Sequence, residues 1–210
     1  MATERLDPQR TCLLFFDTCN YFVNGPSLKP ENRSTTVAAS VGNWVRLRDA
    51  ARKLKVAVVY SAAAYRPDGS DWYAHITDTD MRLMPLPEQG MRLPISPHFR
   101  GTPEVAVIDE LTPGPDDYVF WRQRWDTFHQ TAAELSLRSR GVDTIILTGG
   151  STEIGVAATA YGAHSRDFEL IFVSDAINAQ QPDGNEFFMK KVFPRMGRVR
   201  TTDEVLATLQ

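Results

Sequence analysis

The chain is most tightly constrained at Leu147-Thr148-Gly149-Gly150-Ser151-Thr152-Glu153-Ile154-Gly155-Val156. An apolar run, Thr144 to Leu147, stops at two glycines, and a helical pattern begins behind Ser151 and Thr152. A strand entering a helix N-terminus across so tight a turn belongs to α/β architecture, where such junctions receive ligands.

The remaining segments extend that architecture. Thr11 to Phe16 has no polar interruption in its last five residues and reads as a strand buried on both faces, ending at Asp17. A carboxylate there can face a ligand or cap a turn, and position alone does not separate the two. Asn24 to Asn32, with Gly25, Pro26 and Pro30, is a loop. Ser34 to Thr36 can cap a helix reaching Lys53, and Val56 to Tyr60 is a second buried strand. Ser61 to Thr102 is a long irregular stretch. Tyr65, Arg66, Trp72, Tyr73 and His75 near its start either wall a pocket or pin a surface loop. A short edge strand is expected over Glu104 to Ile108 and another strand over Tyr118 to Trp121. A helix from about Thr127 to Arg140 follows, packed by Leu135 and Leu137 and ended by Gly141. The opening strand covers Val142 to Leu147, and its helix runs from about Thr152 to His164. Leu170 to Val173 is the last central strand. A helix over Asn185 to Phe193, a short strand at Val199 and a helix from Asp203 to Leu209 complete the chain.

This alternation predicts a Rossmann-like, three-layer α/β/α domain with a mostly parallel sheet, occupying residues 1–210 as a single unit. Its strands then share one carboxyl edge, where Asp17, Arg122 and the Gly150 to Gly155 turn converge. Arg122 and Arg124 alternate with aromatics after their strand, a pattern that suits an anion or a planar ligand and equally a salt-bridged loop.

Composition excludes several classes. A net charge of -3, with Lys and Arg scattered, gives no footprint for nucleic acid. The apolar runs are too short to span a bilayer, and Met1 to Gln9 shows no hydrophobic signal segment. The two cysteines, Cys12 and Cys19, make no disulfide framework, so a cytoplasmic setting is expected.

Four stretches, in order, resemble the isochorismatase-like hydrolase superfamily over nearly the whole chain. They are Leu14-Phe15-Phe16-Asp17-Thr18-Cys19-Asn20-Tyr21-Phe22-Val23, Phe120 to Phe128, Leu147 to Tyr161, and Val173-Ser174-Asp175-Ala176. The resemblance implies a hydrolase of a small substrate. In most relatives an Asp, a Lys and a nucleophilic Cys act together, beside a cis peptide just before the helix. Here Asp17 matches the Asp, Arg122 stands at the Lys position, Gly155 stands at the Cys position, and the cis bond corresponds to Gly150-Ser151. The triad is therefore divergent. Glycine has no thiol, so the acyl-enzyme route is closed. Ile154-Gly155 is similar to the isochorismatases proper, whose family reaction hydrolyses a vinyl ether with water.

The resulting expectation places catalysis on Asp17, Arg122 and the Gly155 turn. Asn20, Phe22, Tyr65, Trp121, Trp125, Phe128, Gly150, Ser151 and Ile154 are the expected substrate-binding residues. Arg122 would clamp an anion and lower the pKa of Asp17, while desolvation by Phe16, Phe22, Trp121 and Trp125 would oppose that shift. No cofactor is implied. The four histidines lack ligand spacing, and Asp71, His75 and His98 do not make the metal pattern of some relatives. The resemblance also implies a homo-oligomer paired through the catalytic helix. The alternative reading is an inactive small-molecule-binding or structural member of the fold.

Overall fold

The computed structural model describes residues 5–71, 98–179 and 182–209. Trp72, Tyr73 and His75 lie outside these residues. Six strands form one sheet: β1 (Thr11–Phe16), β2 (Ala57–Ala63), β3 (Tyr118–Arg122), β4 (Thr144–Gly150), β5 (Glu169–Asn178) and β6 (Gly197–Arg200). Their order is β3-β2-β1-β4-β5-β6 and every pairing is parallel. The helices are α1 (Asn20–Asn24), α2 (Thr35–Lys53), α3 (Ala133–Ser139), α4 (Ala157–His164), α5 (Pro182–Phe187) and α6 (Thr202–Thr208). A wider helical turn, Thr152–Val156, leads into α4.

Residues alternate across the central strands and feed two cores. Cys12, Leu14 and Phe16 of β1 pack with Leu137 of α3 and with Ala157, Ala160 and Ala163 of α4. Leu13 and Phe15 face the opposite way, against Val41, Trp44 and Leu47 of α2 and Val205 of α6. The sheet is thus covered on both sides. The small residues of α4 let that helix lie close to the strands.

The strand order reverses at β1. The chain proceeds outward through β2 and β3, then returns to place β4 on the other flank of β1. Open α/β sheets bind ligands at the carboxyl edge of such a switch point. Here that edge carries Asp17 on one side and Gly149-Gly150-Ser151 on the other. Gly149 pairs with Phe16 and has φ 107°. A Cβ there would lie 2.0 Å from the Phe16 carbonyl oxygen, so only glycine permits this approach.

Several boundaries differ from the sequence expectation. β4 continues through both glycines, and β5 runs to Asn178, because backbone pairing persists where the apolar run ends. Glu104 to Ile108 forms no strand: Val107 makes a single antiparallel bridge to Cys19, and a tight helical turn, Asp109–Leu111, follows. The helix expected from Thr127 is only α3, and its Leu135 is 72% exposed while Leu137 is fully buried. Residues 126–132 instead form a loop held by the Thr127 and Thr131 hydroxyls. α1 carries no signature in the sequence, since five residues are too few to show a period.

Candidate active site

Asp17 follows the last residue of β1 with φ 50°, a left-handed conformation that aspartate tolerates better than most residues. Its N–H donates to the Ser61 carbonyl at 2.9 Å, which fixes the turn. Oδ1 accepts from the Ala63 N–H at 3.0 Å. Oδ2 accepts from Nη2 of Arg122 in a salt bridge whose two side chains are almost fully buried. Burial pushes the Asp17 carboxyl above its ordinary value, against the Arg122 charge and the Ala63 hydrogen bond, which hold it down. Desolvation therefore outweighs the cation, the contest that the sequence left open.

Arg122 ends β3 on the same sheet face as Phe120 and Tyr118, toward α3 and α4. Nη1 donates to the Arg124 carbonyl at 2.8 Å, and Cζ lies 3.9 Å from the centroid of the Phe16 ring. Both Nη groups of Arg122 are thus engaged by protein acceptors, where the sequence expectation places an anion. Nε is buried with no hydrogen-bond partner. Gly155 stands opposite the same ring: a Cβ built on it would lie 2.1 Å from Cε1 of Phe16. Asp17, Arg122 and Gly155 therefore meet around Phe16.

The expected binding residues divide. Gly150 and Ser151, joined by a cis peptide, continue the turn whose Gly149 touches Phe16, and they lead to Ile154 in the first turn of the helix. The Ser151 carbonyl accepts from the Val156 N–H at 3.1 Å. Asn20 is tied down locally: its amide donates to the Pro103 carbonyl at 3.0 Å and accepts from Asn24 at 2.9 Å. Phe22 is 47% exposed and stacks on His98, with ring centroids 4.7 Å apart. Tyr65 is buried, and its N–H donates to the His98 carbonyl. Trp121 lies on the opposite sheet face from Arg122 by strand alternation. Trp125 is largely exposed on the loop after β3. Phe128 stacks on Phe168 within the core.

Two side chains acquire a place here that sequence reasoning had not given them. In the sequence Phe16 stands only among the groups that desolvate Asp17. His98 lacks ligand spacing in the sequence. The imidazole packs against both Tyr21 and Phe22 and feels Arg122, and burial lowers its pKa to about 4. Nothing in the sequence marks His98, because its neighbours come from α1, about 76 residues earlier. Cys12 and Cys19 are both buried, and burial raises Cys19 to about 12, which makes it inert as a nucleophile. Among the described residues there is no cluster of three His, Cys, Asp or Glu side chains to hold a metal, and no helix is long and apolar enough to cross a membrane. A cavity of about 120 Å³ opens beside the end of β3, lined by Asp71, Gln123, Arg124, His129 and Gln130.

Comparison with known proteins bears on the family and the fold. The family model described as the isochorismatase domain matches residues 11–204. The isochorismatase family protein YwoC of Bacillus subtilis is 32% identical over 207 residues, covering 98% of this chain and 97% of its own. Enterobactin synthase component B of Escherichia coli is 31% identical over 95% of this chain, which spans 64% of that protein. Among solved structures, an isochorismatase family protein from Burkholderia thailandensis superposes with a TM-score of 0.81 at 28% identity, covering 99% of both chains.

Proposed function

From the premise that this chain belongs to the isochorismatase family, we propose that it hydrolyses a small anionic or cyclic substrate with water activated at Asp17 and without a thiol nucleophile. The observation that carries this reading is the Asp17 carboxyl itself, buried at the sheet's switch point with its proton affinity raised. A carboxyl of that kind can take a proton from water and return it to a leaving group. Arg122 fixes its orientation through Oδ2, and the Ala63 N–H fixes Oδ1. The backbone N–H groups of residues 151–155, at the helix N-terminus, are suited to developing negative charge on the scissile group. An amide or ester fits this machinery, since each develops negative charge on its carbonyl oxygen; a vinyl ether would instead take a proton from Asp17 onto its β-carbon, and water would add to the oxocarbenium carbon and return a proton to the carboxylate. Gly150, Ser151 and Ile154 would line the reacting end, with Phe22 and Tyr65 shaping the apolar side. We further read the protein as a cytoplasmic homo-oligomer.

One observation favours the binding-protein alternative. Both Nη groups of Arg122 already have protein acceptors, so a transition state gains less from that cation than from an uncommitted one. Asp17→Asn separates the two readings. Hydrolysis of a panel of vinyl ethers, small amides and esters should fall at least about 100-fold in the variant, with the fold intact. Turnover that never exceeds the Asp17→Asn background, together with saturable binding of a panel member, would establish the binding protein instead.

A further inference from the structure

Position 155 lacks a side chain, but the space before it is full. The Phe16 ring occupies it, with Cε1 at 2.1 Å and Cζ at 2.2 Å from where a Cβ on Gly155 would stand. Real Cβ atoms do not approach that closely. Phe16 is 1% exposed and belongs to the core shared by β1, β4 and α4, so the ring has no solvent space to move into. Its edge meets Gly155, and its face carries the Arg122 guanidinium, 3.9 Å from the ring centroid. That distance is within cation–π range, and a planar guanidinium stacks on an aromatic face where an ammonium cannot. The same guanidinium reaches Asp17 on one side and the Arg124 carbonyl on the other.

We propose that Phe16 is the positioning residue of this site: its ring takes the place that a nucleophilic side chain at 155 would need, and holds Arg122 against Asp17. The three features then form one unit. A side chain at 155 displaces the ring, the ring displaces the guanidinium, and Asp17 loses its fixed partner. Gly155 at the ring's edge and Arg122 on its face both fit a phenylalanine at the end of β1. A Cys introduced at 155 therefore clashes with Phe16 in this chain and does not simply restore a thiol site. Where the Asp17 hydrolase reading concerns turnover, this coupling is a property of the resting protein and is testable without any substrate.

The test compares Gly155→Ala, Phe16→Leu and the double variant. Gly155→Ala should lower the melting temperature by roughly 3–10 °C, as overpacking of a closed core does. The double variant should melt several degrees above the sum of the two single losses, because leucine leaves room for the added methyl. The second readout is the Arg122 Nε–H resonance in nitrogen-15 NMR spectra, assigned as the signal missing from Arg122→Met. In the parent protein the Phe16 ring current displaces it from the usual arginine position. It should return toward that position in both single variants while other arginine signals stay in place. Additive stability losses, or an Arg122 signal unmoved in Gly155→Ala, would overturn the proposal. Gly155→Ala is a one-methyl change, so it decides the question even if Phe16→Leu fails to fold.

Discussion

Asp17 and Arg122 were legible as residue types at strand ends, but their electrostatic balance was not. Sequence can place a cation near a carboxyl. It cannot say how much water the pair has lost, and here that loss raises the Asp17 pKa. His98 shows the same limit and gives a pH prediction. Its pKa falls from the ordinary 6.5 to about 4 on folding, through burial first and the Arg122 charge further, with Glu104 opposing. Between those values the unfolded chain binds a proton that the native protein refuses. Stability at His98 is thus intact above about pH 6.5 and is lost as pH falls toward 4. His98→Phe keeps the stack on Phe22 and removes the titration. Its melting temperature should fall less between pH 6.5 and 4 than that of the parent, measured by circular dichroism. Parallel curves for the two proteins would show that His98 titrates normally.

Elements were legible where one pattern filled them. β1 matches its apolar run residue for residue, and α2 begins behind Ser34, whose side chain accepts from the Val37 N–H. The final helix carries a full capping box between Thr201 and Glu204. Legibility failed where hydroxyl groups do the holding. Residues 126–132 contain no Gly or Pro to stop a helix, yet Thr127 bonds Ser61 of β2 at 2.8 Å and Thr159 of α4 at 3.0 Å, all buried. This hydroxyl chain ties the loop after β3 to both neighbours and keeps the helix from starting early. Thr159→Val leaves the shape but strands its partners. It should cost about 1–3 kcal/mol in urea unfolding, while Thr159→Ser costs much less. Equal losses in the two variants would mean that the methyl group, and not the hydroxyl, does the holding.

At the scale of the whole molecule, assembly is the open expectation. Tyr161 on α4 and Trp125 on the loop joined to it through Thr159 are large apolar side chains left exposed. If copies of the chain pair through this helix, Tyr161→Lys should shift sedimentation from oligomer toward monomer without changing the fold. A parent protein that sediments as a monomer would remove the expectation. The sequence by itself determined the fold class, the family and the positions of Asp17, Arg122 and Gly155. The fold class follows from local period and from the order of strand ends; the family, and the places of Asp17, Arg122 and Gly155 within it, follow from the resemblance of four ordered stretches. Only the tertiary structure decided that the Phe16 ring fills the space before Gly155, that Arg122 turns to Asp17, and that burial governs the carboxyl. The reason is physical: space and water exclusion at one point are set by segments about 16, 61, 122 and 155 positions along the chain, and no local pattern carries their sum.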